Sequence, residues 1–155
     1  MFDNFTDSAK QLIYDAQNLA IENHNTLIEP VHILSVMAQS DIEAVNLLFS
    51  ELKLHNNLFI SDVKNIINSL AKTQEISDKI YFSKNSLSLF EKAKEKAQNL
   101  KDKFVSGEHI LLAMVEIEDN DIKRLVNKFQ ISEVNILNAM KKIRGDKKVD
   151  SKNAD

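Results

Sequence analysis

The chain has 155 residues, 43% of them hydrophobic, with two glycines, one proline and no cysteine; its formal net charge is −3 and its pI about 5.8. So little glycine and proline disfavours sheets, tight hairpins and glycine-rich loops and points to long helices. The missing cysteines exclude disulfides, thiolate metal sites and cysteine nucleophiles and suit a reducing compartment, while the mixed, slightly acidic charge argues against a nucleic-acid or anionic-membrane surface.

At this length one domain, or two small halves sharing a core, is expected. The N-terminus M-F-D-N-F-T-D carries no basic region followed by an apolar core, so no signal peptide is read. No apolar run nears the roughly 20 residues that a membrane span needs. The expected address is cytoplasmic.

Thr6 is a good N-cap, with Asp7 in the first turn where the helix dipole favours an anion. Leu12, Ile13, Ala16, Leu19 and Ala20 then recur at helical spacing and define one apolar face. A second helix starts with Ile28 before the cap, Glu29 at the cap and Pro30 at the first helical position, where its missing N–H costs nothing. A third helix is expected over about Ile42–Leu52 and a fourth over about Asn57–Ala71, with Phe59, Val63, Ile66, Ile67 and Leu70 inward. The polar segment Lys72–Tyr81 reads as a connection.

The pattern then restarts. Ile28–Met37, I-E-P-V-H-I-L-S-V-M, recurs 77 positions later as Val105–Met114, V-S-G-E-H-I-L-L-A-M. The same ungapped shift pairs Phe5 and Thr6 with Phe82 and Ser83, Leu12 with Leu89, Ala16 with Ala93, Ala20 with Ala97, Leu48 with Leu125, and Val63 with Met140. One apolar pattern written twice fills nearly the whole chain. Ser83 caps a helix with Leu87, Phe90, Ala93, Ala97 and Leu100 on its inner face. Helices at about Gly107–Val115, Asp119–Phe129 and Ser132–Arg144 complete the set, and Gly145 suits a left-handed residue ending the last one. The expected fold is all-α: eight helices as two pseudo-symmetric four-helix repeats packed together, repeat one over about 1–72 and repeat two over about 82–145. The faces of Leu12/Ile13 and Leu89/Phe90 are candidates for the shared interface. The charged end 146–155 offers little to bury and is expected to be a flexible linker.

Chemistry is scarce. Gly107 and Gly145 lie too far apart for any phosphate-cradling loop or nucleophile elbow. No catalytic, cofactor-binding or metal site is expected in this segment. His32 and His109 are repeat partners just inside helix starts. They read as retained helix-start residues, each packing its ring and bonding by one nitrogen. A catalytic role would need a converging partner. The acids around Asn120 lack the glycine and final glutamate of a calcium loop. Lys92, Lys94 and Lys96, interleaved with Glu91 and Glu95, read as a solvated face, or alternatively as a docking patch for acidic peptides.

The two blocks I-E-P-V-H-I-L and V-S-G-E-H-I-L-L-A-M, each following a capped helix that opens at F-T or F-S, resemble the Clp repeat. Paired Clp repeats form the N-terminal domains of the Clp ATPases, and the likeness covers Phe2 to Arg144. The I-E-P block and the ending R-G-D-K-K-V-D-S-K-N-A-D look most like the ClpB branch. The resemblance implies a substrate-engaging domain on a hexameric, ATP- and Mg-dependent disaggregase that works with the DnaK system on unfolded or aggregated polypeptides. The isolated domain is then expected to be monomeric. The alternative is a ClpA/ClpC-type unfoldase that recruits adaptors for proteolysis. Thr6, Asp102 and Glu108 match polar positions associated with substrate engagement. The family's apolar groove falls at Lys92, Lys96 and His109, none of them apolar, so the groove is built elsewhere, is more polar in preference, or is weak.

Overall fold

Leu12, Ala16 and Ala20 do form one buried stripe, on α1 (Asp7–Glu22). A computed structural model of the chain describes residues 1–75 and 79–154; residues 76–78, part of the expected connection Lys72–Tyr81, lie outside the described residues, as does Asp155. Among the described residues α1 is followed by β1 (Leu27–Ile28), α2 (Pro30–Ala38), α3 (Glu43–Glu51), α4 (Asn57–Ser69), β2 (Tyr81–Phe82), α5 (Lys84–Asn99), α6 (Gly107–Met114), α7 (Asn120–Lys128) and α8 (Glu133–Arg144). The fold is all-α with eight helices, as the repeat and the periodicity imply.

Side-chain caps fix most helix starts. Thr6 Oγ1 accepts from the Ala9 N–H at 3.1 Å and its repeat mate Ser83 Oγ accepts from Ser86 at 3.1 Å. Asn56, Asp119 and Ser132 do the same for α4, α7 and α8. The stops are paired too. His24 (φ 57°) and Lys101 (φ 60°) end α1 and α5 in the left-handed conformation, and Lys53 (φ 59°) and Gln130 (φ 55°) end α3 and α7. Gly145 also has a positive φ, 58°, but its ψ of −125° lies outside the left-handed helical basin, in a region that suits glycine.

The halves exchange strands. Ile28 pairs with Phe82 and, by the same symmetry, Phe5 bridges to Val105. The Ser83 N–H donates to the Ile28 carbonyl at 3.0 Å, and the Thr6 N–H to the Val105 carbonyl at 2.9 Å. Phe2, Phe5, Phe82 and Phe90 meet edge-to-face at this seam, a favoured aromatic geometry. Leu12 and Phe90 therefore do reach across, but the shared interface is wider than a contact of their helices. α2 and α6 lie buried at the centre, α1 covers α2, α5 covers α6, and α3 and α4 pack on α8 and α7. Gly107 stands where the halves come closest: an ideal Cβ there would lie 3.0 Å from Val45 Cγ2 and 3.3 Å from Leu12 Cδ1. Leu87, expected inward, is exposed.

The end of the chain departs from expectation. Residues 146–154 do not hang free. Val149 is buried, its carbonyl accepts from the Lys103 and Phe104 N–H groups at 2.9 and 3.2 Å, and the Lys152 carbonyl accepts from the Asp7 N–H at 2.7 Å. Repeat one follows the same path at its own end: Lys72 bridges to Asn25, and the Ala71 carbonyl accepts from the Thr26 N–H at 3.2 Å. The second repeat thus runs past Arg144 to about Lys152. Charge alone misleads here because one buried valine and three backbone bonds suffice to hold a short segment. Among the described residues no helix is long and apolar enough to cross a membrane.

Candidate functional site

The two halves differ chemically around their buried histidines. In repeat one the His32 Nδ1 accepts from the Glu29 N–H at 2.9 Å. That bond fixes the proton on Nε2, which donates to Asn25 Oδ1 at 2.8 Å. Apolar Val31 and Ile67 sit nearby in sequence register, and both are buried. In repeat two the His109 Nδ1 accepts from the Ser106 N–H at 2.8 Å and its Nε2 donates to Asp102 Oδ2 at 2.8 Å. Both rings therefore bond by two nitrogens, not the one expected. Here Asp102, Glu108 and Arg144 replace Asn25, Val31 and Ile67. A neutral network has become an ionic one at the same depth.

Asp102 is its hub. Arg144 makes a two-pronged contact, Nη1 to Oδ1 at 3.1 Å and Nη2 to Oδ2 at 2.8 Å, and the Val149 N–H adds a bond to Oδ1 at 2.9 Å. Burial pushes the Asp102 carboxyl up, but the bonds from Arg144, Val149 and His109 outweigh it and hold the group at about 2. Burial pushes the His109 ring down, against the pull of Asp102, and lowers His32 to about 4. Burial also raises Glu108, which has the Arg144 Nε at 3.7 Å and one carboxylate oxygen, Oε2, without a hydrogen bond.

Ser106 Oγ lies 3.1 Å from His109 Nδ1, so serine, histidine and aspartate stand in a row. They do not form a hydrolytic triad. The Nδ1 lone pair already receives the Ser106 backbone N–H, and all three residues are buried, at most 6% exposed. Repeat one has the same histidine geometry built on an asparagine.

Of the six residues expected to engage substrate, Thr6 and His109 are 0% exposed, Glu108 2% and Asp102 6%. As they stand these four touch the protein, not solvent. The structure brings Asp102, Glu108 and His109 together and sets Thr6 beside the end of the chain through Asp7 and Lys152. Lys96, expected on a solvated face, is nearly buried instead, held by Glu116 and by Glu133 at 3.2 Å. Lys92 pairs with Glu95 and Lys94 with Glu91, both at 3.1 Å and at i,i+3 spacing. Of the positions matched to the groove, Lys92 and Lys96 are therefore ion-paired and His109 is buried. Arg144 and Val149 are the members that sequence reasoning missed. The repeat shift was the available signal, since it sets Arg144 opposite Ile67.

A doubled four-helix body with exchanged strands defines a paired-repeat class of helical domain. The profile of the Clp repeat (R) N-terminal domain matches residues 4–129, and the chain belongs to that family. The chaperone protein ClpB of Vibrio cholerae is 29% identical over 153 residues, 99% of this chain, and that of Bacillus anthracis is 28% identical over 151 residues, 96% of this chain. The chain spans only 18% and 17% of those relatives' lengths. Among solved structures the Hsp104 N-terminal domain from Candida albicans superposes with a TM-score of 0.79 at 27% identity, covering 97% of each chain. The N-terminal domain of the chaperone ClpD from Arabidopsis thaliana has a TM-score of 0.66 at 18% identity, covering 92% of this chain and 99% of that one, a likeness of fold alone. The likeness to ClpB and Hsp104 makes this a ClpB-type N-domain.

Proposed function

We propose that the domain engages unfolded or aggregated polypeptide on behalf of a ClpB-type disaggregase: a cytoplasmic, hexameric ring driven by ATP and Mg that works with the DnaK system. The observation that carries this reading is full-length likeness, in sequence and in structure, to the N-terminal regions of ClpB and Hsp104. A compact helical body suits recruitment: six weak modules on one ring act by raising effective concentration, not by tight single-site affinity. The contact surface is proposed on the α5 side, around Lys92 and Lys96, because Thr6, Asp102, Glu108 and His109 are buried. There the lysines and Glu116 and Glu133 favour a polar, charged segment over an apolar one.

An NMR titration of the chain with reduced casein tests this. Saturable shifts clustered on α5 around Lys92 and Lys96 are expected. Absence of shifts at high concentration would sink direct recruitment.

A further inference from the structure

We infer that Asp102 is a positioning residue: with Arg144 it anchors residues 147–152 to the body, so that any free tether begins past Lys152 and not at Gly145. Its functional meaning rests on the recruitment reading above, in which tether length sets the volume the domain searches. Four donors converge on the one carboxylate, and each serves the exit segment or its support. The Val149 N–H binds Oδ1 directly at 2.9 Å. Arg144 grips both oxygens and also donates from Nη1 to the Lys147 carbonyl at 3.2 Å. His109 donates from behind at 2.8 Å.

The rest of the segment is tied on the same side. Val149 is 2% exposed, its carbonyl takes the Lys103 and Phe104 amides, and the Lys152 carbonyl takes the Asp7 amide next to Thr6. Of the residues that the resemblance links to substrate, Asp102 holds the docked exit segment directly and Thr6 precedes the residue that does, while Glu108 backs Arg144; all three are buried.

Repeat one gives the control. There Asn25 Nδ2 donates to the Ala71 carbonyl at 3.3 Å. In repeat two the polarity is reversed: the carboxylate cannot donate, so it accepts from the passing backbone and recruits a guanidinium. Freeing residues 145–152 would add roughly 25–30 Å of reach at about 3.3–3.6 Å per residue.

The test uses this chain, whose lack of cysteine permits a single spin label at Asn153→Cys. In the otherwise native chain the label should broaden the amides of Asp7 and Lys103, and the Val149 amide should be protected from exchange. Asp102→Leu with Glu108→Val and Arg144→Ile, which removes the acceptor of the Val149 N–H and leaves neither a lone cation nor a lone carboxylate, should abolish the broadening and speed Val149 exchange at least tenfold, with α2 and α4 amides unchanged. Val149→Asp leaves the ion network in place and should expose the Lys103 and Phe104 amides. A label that broadens nothing in the native chain overturns the anchor. So does broadening that survives both variants in a folded body. Neither readout depends on whether casein binds.

Discussion

Asn25 and Asp102 stand 77 positions apart at the same place in the two halves, and each accepts the Nε2–H of its own histidine at 2.8 Å. One does so neutrally. The other carries a charge that had to be matched, and Arg144 matches it where repeat one has Ile67. Taking two ions out of water costs more than an apolar pair of similar size, so the ionic version is not explained by stability. Removing one partner should be far worse than removing all.

Asp102→Ala should therefore lower the unfolding free energy by about 3–5 kcal/mol, since it strands Arg144 and His109. The triple variant Asp102→Asn, Glu108→Val, Arg144→Ile rebuilds the repeat-one arrangement and should be at least as stable as the native chain. Urea unfolding followed by circular dichroism decides this; a triple variant weaker than Asp102→Ala would refute the comparison.

Acid should destabilise the fold in two stages. His32 is held down to about 4 by burial, and His109 is lowered in the same direction. Unfolding lets both bind a proton below about 6.5, so stability falls as pH drops from there towards 4. His32 alone accounts for up to about 3 kcal/mol by pH 4. Glu108, raised by burial, works the other way, gaining its proton more readily when folded. Asp102, at about 2, contributes stability that is complete above about 4 and is lost as pH falls through 2. Unfolding midpoints at pH 7, 5, 3.5 and 2 check the order. A midpoint unchanged between pH 7 and pH 5, in the native chain and in His32→Asn alike, would contradict the first stage.

Gly107 should not tolerate a side chain. Its repeat mate is Pro30, but here Val45 and Leu12 of the other half close over the backbone, the first at 3.0 Å from a would-be Cβ. Gly107→Val puts two further methyls into that contact and should cost about 1–3 kcal/mol through overpacking. The control is Gly145→Ala: open space surrounds that glycine, so its cost, read in the same thermal scan, comes from its positive φ alone.

The helices and their duplication were legible because the apolar period is strong and the repeat runs without a gap. Their stops were less so. His24, Lys53, Lys101 and Gln130 take a conformation that glycine usually supplies, and a chain with two glycines gives no signal there. The ionic site was half legible. Aligning the repeats names Asp102, Glu108 and Arg144 as departures, but not that they converge, because the contact between Asp102 and Val149 spans 47 positions of sequence. Burial of Lys96 was invisible for a similar reason: its partners Glu116 and Glu133 lie on another loop and another helix.

Lys96 also yields the sharpest test of specificity. Its repeat mate is Leu19, so Lys96→Leu again copies one half onto the other. Glu116 and Glu133 have side chains 39% and 52% exposed and can regain water when the lysine leaves, so the loss of stability should stay within about 1 kcal/mol. The face between α5 and those acids then loses its bridging cation and becomes more apolar. About 40 Å² of extra apolar contact with an unfolded chain is worth roughly 1 kcal/mol, close to fivefold in affinity. Reduced casein should bind Lys96→Leu that much more tightly, with the added shifts centred on α5. Unchanged binding in a folded variant would show that polypeptide does not use this face, and weaker binding would show that it uses the charges there and not apolar contact.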